Sequence, residues 1–238
     1  MQEKLRFTTG THVNDYGDAT VGLIESVFAN GVHHAVVLMR HSAREFDPAV
    51  HDLANPLTEE GRERCLRFGK ALPKDLTLRA YASPAARCLE TAELILTSHR
   101  EAGGDVTRHR PLEALGVFYV LDQMKMWKGM TEAGGMVNYL QQWFAGDVPL
   151  DAMMPSQLAA TLVLRVMTEK LSSPIGTPQL DICVSHDMTV HLVRDRLLGE
   201  PVDGPRVEFL DALIAYRDDD VYWLKSQHGE ERRVSPNL

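Results

Sequence analysis

Cysteine, basic charge and long apolar runs are all in short supply in this sequence, and each shortage removes a class of protein. The three cysteines, Cys65, Cys88 and Cys183, are an odd number, widely spaced, and each lies in a segment that reads as helix or strand. That pattern suits buried thiols and speaks against a disulfide framework or a cysteine metal centre. No apolar run approaches the roughly 20 residues that a membrane span requires. The opening MQEKLRFTTG lacks the basic-then-apolar order of a secretion signal, so a cytoplasmic protein with no membrane partner is expected. Lys and Arg number 25 against 33 Asp and Glu, a net charge of -8. Nothing in that balance favours nucleic acid, and an anionic ligand would have to be held by a local basic site. His33, His34, His99, His109 and His191 have no metal-ligand spacing, and no metal or other cofactor is expected.

What is present points to an α/β fold. The 238 residues are 44% hydrophobic, enough for one sizeable domain spanning 1–238 rather than two separate cores. Apolar residues at helical spacing between Asp18 and Asn30, stopped by Gly31, predict a first helix. AVVLM at 35–39 predicts a strand buried on both faces, and it runs directly into Arg40-His41-Ser42-Ala43-Arg44. The segment TEEGRERCLRFGKAL, acidic at its start and followed by Pro73, predicts a second helix. Leu78–Ala82 predicts a strand, and Ser83-Pro84 an N-cap and first-turn proline for the helix carrying Arg87. A short strand near Asp105–Arg110 leads to Pro111-Leu112-Glu113. The periodicity then degrades over about 118–155, a methionine-rich stretch read as a small helical insertion that covers a site, or else as a peripheral helix pair packing its own methionines. Ser156 is read as the cap of a long helix running to Leu171. Leu180–Val184 is another buried strand, ending in Ser185-His186-Asp187 and a helical run, and VEFLDALIAY and VYWLKS read as two strands joined by a turn.

Alternating strands and helices imply a mostly parallel central sheet flanked by helices in three layers, which binds ligands at the carboxyl ends of its strands. Two of those ends deliver His41 and His186. Arg40, Arg44 and Arg87 can join them, and guanidiniums suit phosphoryl oxygens because each offers paired donors. Phosphoryl transfer also needs an in-line nucleophile and a proton for the departing oxygen. Neutral imidazole can be the first without prior activation, and neighbouring arginines favour the neutral form. Asp187 or Glu113 can supply the second.

These residues resemble a known family. Leu38-Met39-Arg40-His41-Ser42-Ala43-Arg44 resembles the Arg-His-Gly motif of the histidine phosphatase superfamily, which includes phosphoglycerate mutases, acid phosphatases and phytases. Asn55-Pro56-Leu57-Thr58-Glu59-Glu60-Gly61 is similar to its Leu-Thr-x-x-Gly segment. Ser83-Pro84-Ala85-Ala86-Arg87-Cys88-Leu89-Glu90-Thr91-Ala92 is similar to its Ser-Pro-x-x-Arg-x-x-x-Thr-Ala segment, and Ser185-His186-Asp187 to its last histidine motif. The resemblance implies a phosphoglycerate mutase-like fold, phosphorylation of His41, and phosphate binding by Arg40, Arg87 and His186. Arg44 matches a second arginine of the acid phosphatase branch, in which the aspartate of a His-Asp pair, here Asp187, protonates the leaving group. In the mutase-like branch a glutamate downstream of the Ser-Pro-x-x-Arg segment does so, here Glu113. Ser42 stands where the family usually has glycine, and is expected either to crowd the turn or to add a hydroxyl donor to the phosphate.

The expectation is therefore a metal-independent phosphomonoester hydrolase acting on a small phosphorylated substrate through phospho-His41. The alternatives are a phosphoglycerate mutase-like phosphotransferase and a non-catalytic protein that keeps the phosphate pocket. The sequence names neither the natural substrate nor the oligomeric state.

Overall fold

The AVVLM run forms the buried middle of β1 (His34–Arg40), and a strand with apolar side chains on both faces has to be covered on both. The computed structural model describes residues 16–45, 47 and 49–237 and shows what covers it. The opening segment, read above for a secretion signal, lies outside the described residues.

The other strands are β2 (Thr77–Ala82), β3 (Arg110–Pro111), β4 (Gln179–Ser185), β5 (Ala212–Asp218), β6 (Val221–Ser226) and β7 (Arg232–Val234). They form one sheet in the order β3-β2-β4-β1-β5-β6-β7. The first four are mutually parallel, and the last three join by antiparallel pairing. The fold is thus the expected three-layer α/β arrangement, with a mixed sheet whose parallel part is confined to β3, β2, β4 and β1.

The helices are α1 (Asp18–Ala29), α2 (Glu59–Ala71), α3 (Ala86–Glu101), α4 (Gln123–Glu132), α5 (Met136–Ala145), α6 (Ser156–Leu171) and α7 (Asp187–Val193). One face of β1, carrying Ala35, Val37 and Met39, packs in a core with Ile24 of α1, Phe68 of α2 and Ile95 of α3. The other face, Val36 and Leu38, shares a core with Tyr139 and Trp143 of α5, Val163 of α6 and Val190 of α7. The stretch 118–155 thus contributes an inner face to the core, Met126 of α4 included, while Met124 and Trp127 stay exposed. All three cysteines are buried and unpaired. No helix among the described residues is long and apolar enough to cross a membrane.

Four features differ from the sequence reading. The strand expected near Asp105–Arg110 shrinks to β3 and an isolated bridge between Leu78 and Val106; Pro111, with no N–H to donate, is tolerated at this sheet edge. Residues 207–211 are not strand. The backbone of Leu210 is left-handed (φ 62°), and the Asp211 carboxylate accepts from the Glu208 N–H, so β5 starts only at Ala212. Ser83 is not the cap of α3, where Ala85 holds that place, and Ser156 is not the cap of α6 but its first helical residue, after Pro155.

Candidate active site

Strand register brings the two histidines together. In the parallel pair β1 and β4, Arg40 lies opposite Ser185, so the next residues, His41 and His186, leave the sheet at the same level. Their rings meet edge to face with centroids 5.7 Å apart. On the far side of β4, β2 pairs Ala82 with Val184 and so delivers Ser83 and the start of α3 to the same edge. Arg87, in the first turn of α3 and 4% exposed, reaches in from there.

Hydrogen bonds fix which nitrogen of His41 carries the proton. Nδ1 lies 2.7 Å from the Ser42 carbonyl oxygen, which can only accept, so Nδ1–H donates. Nε2 is left with its lone pair and accepts from Arg87 Nε at 3.1 Å. His186 is oriented similarly: Nδ1 lies 3.4 Å from Arg87 Nη2, and Nε2 lies 3.0 Å from Ser83 Oγ. Both rings are held neutral. Burial is the main reason that His41 titrates well below the ordinary histidine value; its bond to Ser42 opposes this, and His186, Arg87 and Arg40 reinforce it. Burial and then Arg87 push His186 down to about 4, against Asp187 and Asp52.

The remaining expected residues surround this pair. Arg40 donates from Nη1 to the Val207 carbonyl at 2.7 Å and pairs through Nη2 with Asp187 Oδ2 at 3.0 Å. Its guanidinium lies 4.1 Å from the ring centre of Phe209, a ring that also faces His41. Arg44 pairs with Asp52 Oδ1 at 2.9 Å. Glu113 is exposed, in the turn that follows β3. That turn is anchored to the same sheet edge, because the Leu115 carbonyl accepts from Ser185 Oγ at 2.7 Å.

Ser42 is positioned differently from either expectation. Its hydroxyl donates to the Gly61 carbonyl at 2.8 Å and its N–H to Thr91 Oγ1 at 3.2 Å, so the single hydroxyl proton goes to α2 and not to a ligand. Nor does it crowd the turn, since its backbone is not left-handed. The glycine that this packing needs is Gly61: a Cβ there would lie 2.2 Å from the Ala43 carbonyl oxygen.

Sequence reasoning missed Asp52. It lies in a short 3-10 turn, Asp52–Ala54, and pairs with Arg44 and with Arg87 Nη2 at 2.9 Å, while its own carbonyl accepts from Arg87 Nη1 at 2.6 Å. Burial raises this carboxyl, but the Arg87 and Arg44 guanidiniums outweigh it and hold the group below the usual carboxylate range. No sequence signal marked it, because it falls between two matched segments. Phe209 was likewise read only as part of a strand. Ser83 and Thr91 were in view within the quoted segment, but without their roles. Among the described residues no three His, Cys, Asp or Glu side chains are grouped as metal ligands.

Residues 36–113, which carry the first three of the four motifs, match the model of the histidine phosphatase superfamily (branch 1). Similar solved structures include a phosphoglycerate mutase from Bacillus anthracis str. Sterne, 17% identical, covering 82% of this chain and 92% of that one, with a TM-score of 0.55. Another is a phosphoserine phosphatase from Entamoeba histolytica in complex with 3-phosphoglyceric acid, 18% identical, covering 85% and 95%, with a TM-score of 0.51. At such identities the likeness is one of fold. A search among curated protein sequences finds no match. The matched segments thus identify residues 36–113 with the histidine phosphatase superfamily, branch 1, and the sheet that carries them has the phosphoglycerate mutase-like fold.

Proposed function

We propose that this protein is a phosphomonoester hydrolase working through a phosphohistidine formed at Nε2 of His41. The observation that carries the reading is the tautomer of His41: with Nδ1–H donated to the Ser42 carbonyl, the Nε2 lone pair faces Arg87 beside His186. A depressed pKa keeps that lone pair available at and below neutral pH, as a nucleophile needs. An incoming phosphoryl group takes the guanidiniums of Arg40, Arg44 and Arg87 and the imidazole of His186 as partners for its oxygens. Arg87 Nε then turns from His41 to a phosphoryl oxygen, which frees the lone pair for in-line attack. The phosphorus–oxygen bond to the alcohol breaks as the phosphorus–nitrogen bond forms, and water later takes the phosphoryl group from His41.

The departing alkoxide needs a proton. Asp187 is the donor that the geometry favours: its Oδ2 pairs with Arg40 within the guanidinium cluster, and once the phosphoryl group takes Arg40 the released carboxylate takes up a solvent proton and passes it to the departing oxygen. Glu113 is the second reading, favoured by the branch 1 match and by the anchoring of its turn to Ser185.

Release of phosphate from p-nitrophenyl phosphate, with EDTA present, tests the proposal. Wild type turns over and His41→Ala loses at least about a thousandfold in kcat while melting at the same temperature. A well-folded wild type without turnover, or a His41→Ala variant that retains it, overturns the reading.

A further inference from the structure

Asp52 takes no part in the chemistry just described, yet its carboxylate occupies the place where that chemistry begins. Its two oxygens bridge two guanidiniums, Oδ1 to Arg44 Nη1 and Oδ2 to Arg87 Nη2, both at 2.9 Å. Two anionic oxygens spanning two arginine forks is the pattern that a phosphoryl group makes. The same arginines hold this carboxyl below the usual carboxylate range against the effect of burial. The side chain is 44% exposed, and the backbone carbonyl is anchored separately on Arg87 Nη1. A phosphoryl dianion can therefore displace the carboxylate while the backbone contact persists, which leaves a negative charge at the mouth of the site.

Among the described pairings Asp52 answers both Arg44 and Arg87, Asp187 answers Arg40, and both histidines are neutral. A phosphomonoester dianion that takes the Arg44 and Arg87 guanidiniums leaves the Asp52 carboxylate beside it without them, and a second anionic group on the same substrate then meets Asp52. On the reading that this pocket binds a phosphoryl group, we propose that Asp52 is a specificity-determining residue. It competes with phosphate for Arg44 and Arg87, and it selects phosphomonoesters of neutral or cationic alcohols over those that carry a carboxylate or second phosphate beside the ester.

The test is Asp52→Asn, which keeps the shape and removes the charge. Inorganic phosphate binding is measured by calorimetry on wild type and variant. Glycerol 3-phosphate and 3-phosphoglycerate, which share the phosphate and differ by a carboxylate, are titrated in a His41→Ala background that does not turn them over. Asp52→Asn binds phosphate about tenfold tighter, and the preference for glycerol 3-phosphate falls by about fivefold, the scale of one partly screened charge pair. Phosphate binding that is unchanged or weaker overturns the proposal, since Asp52 then holds Arg87 in place instead of competing for it; an unchanged preference also overturns it. If wild type binds no phosphate, the pocket reading fails and this inference with it. If wild type binds phosphate and the variant binds it no better, only the inference fails.

Discussion

Strand β4 has a cluster of histidine, arginine and aspartate at each end, and the two clusters do opposite things. At its start Asp181, fully buried, accepts from Arg79 Nε and Nη2 at 2.6 and 2.8 Å, from His34 Nε2 at 2.8 Å and from Gln179 Nε2 at 3.0 Å. Every oxygen is matched and the charges close on themselves, so the cluster ties β1, β2 and β4 together and offers nothing to a ligand. At the other end one carboxylate, Asp52, is shared between Arg44 and Arg87, the histidines are neutral, and Asp52 and Asp187 are both partly exposed. The same residue types give structure where every charge is matched inside the fold and, on the proposed reading, a phosphate site where a partly exposed carboxylate is shared by two arginines.

The largest effect that separates the ends is on stability. Asp181→Ala leaves Arg79 buried without its carboxylate and costs about 3 kcal/mol, the lower end for a broken buried pair because Arg79 keeps some exposure. Urea denaturation measures the loss, and phosphatase activity per folded molecule stays at the wild-type level. An activity loss that exceeds the unfolded fraction would mean that the two ends are coupled.

At the site end the expected effect is kinetic. Asp187→Asn slows hydrolysis of alkyl phosphates by about a hundredfold, and of p-nitrophenyl phosphate much less, because nitrophenolate leaves without protonation. Equal loss on both substrates would make Asp187 a positioning residue, and transfer of the selective loss to Glu113→Gln would give the donor role to Glu113.

The smallest effect is a difference in pH response. His186 titrates near 4 in the fold against an ordinary value of 6.5, so the unfolded chain binds its proton first as pH falls. Its contribution to stability is complete above about pH 6.5 and is lost as pH falls towards 4. Asp181 is held below its ordinary 3.8, by hydrogen bonds to His34 and Arg79 that outweigh burial, so its contribution is kept across that window. Denaturation midpoints between pH 7 and 5 should therefore fall in wild type, and less in a His186→Gln variant. Imidazole nitrogen spectra should show the His186 ring still neutral at pH 5.5; a protonated ring there would contradict the burial argument.

Much of this was legible in the sequence. β1 and α2 stand where an apolar run, an acidic first turn and a following proline put them, because those signals are local. The pairing of His41 with His186 was legible only as two similar strand ends, and the register of Arg40 with Ser185 turns it into contact. Asp52 and Phe209 were not legible as site residues, since each meets an arginine more than thirty residues away; Asp52 also lies outside every patterned segment, and Phe209 lies in one read as strand. Ser83 was misread because a serine before a proline has the look of a helix cap, whereas its hydroxyl lies against His186. Residues 207–211 have strand composition, but the left-handed Leu210 and the Val207 carbonyl bonded to Arg40 bind this segment to the site.

The most direct measurement is rapid quench of the enzyme mixed with labelled p-nitrophenyl phosphate, followed by mapping of acid-labile, base-stable phosphate to a peptide. The expected result is phosphate on His41 in wild type and none in His41→Ala; phosphate on any other residue, or turnover with no phosphoenzyme on this time scale, would contradict it.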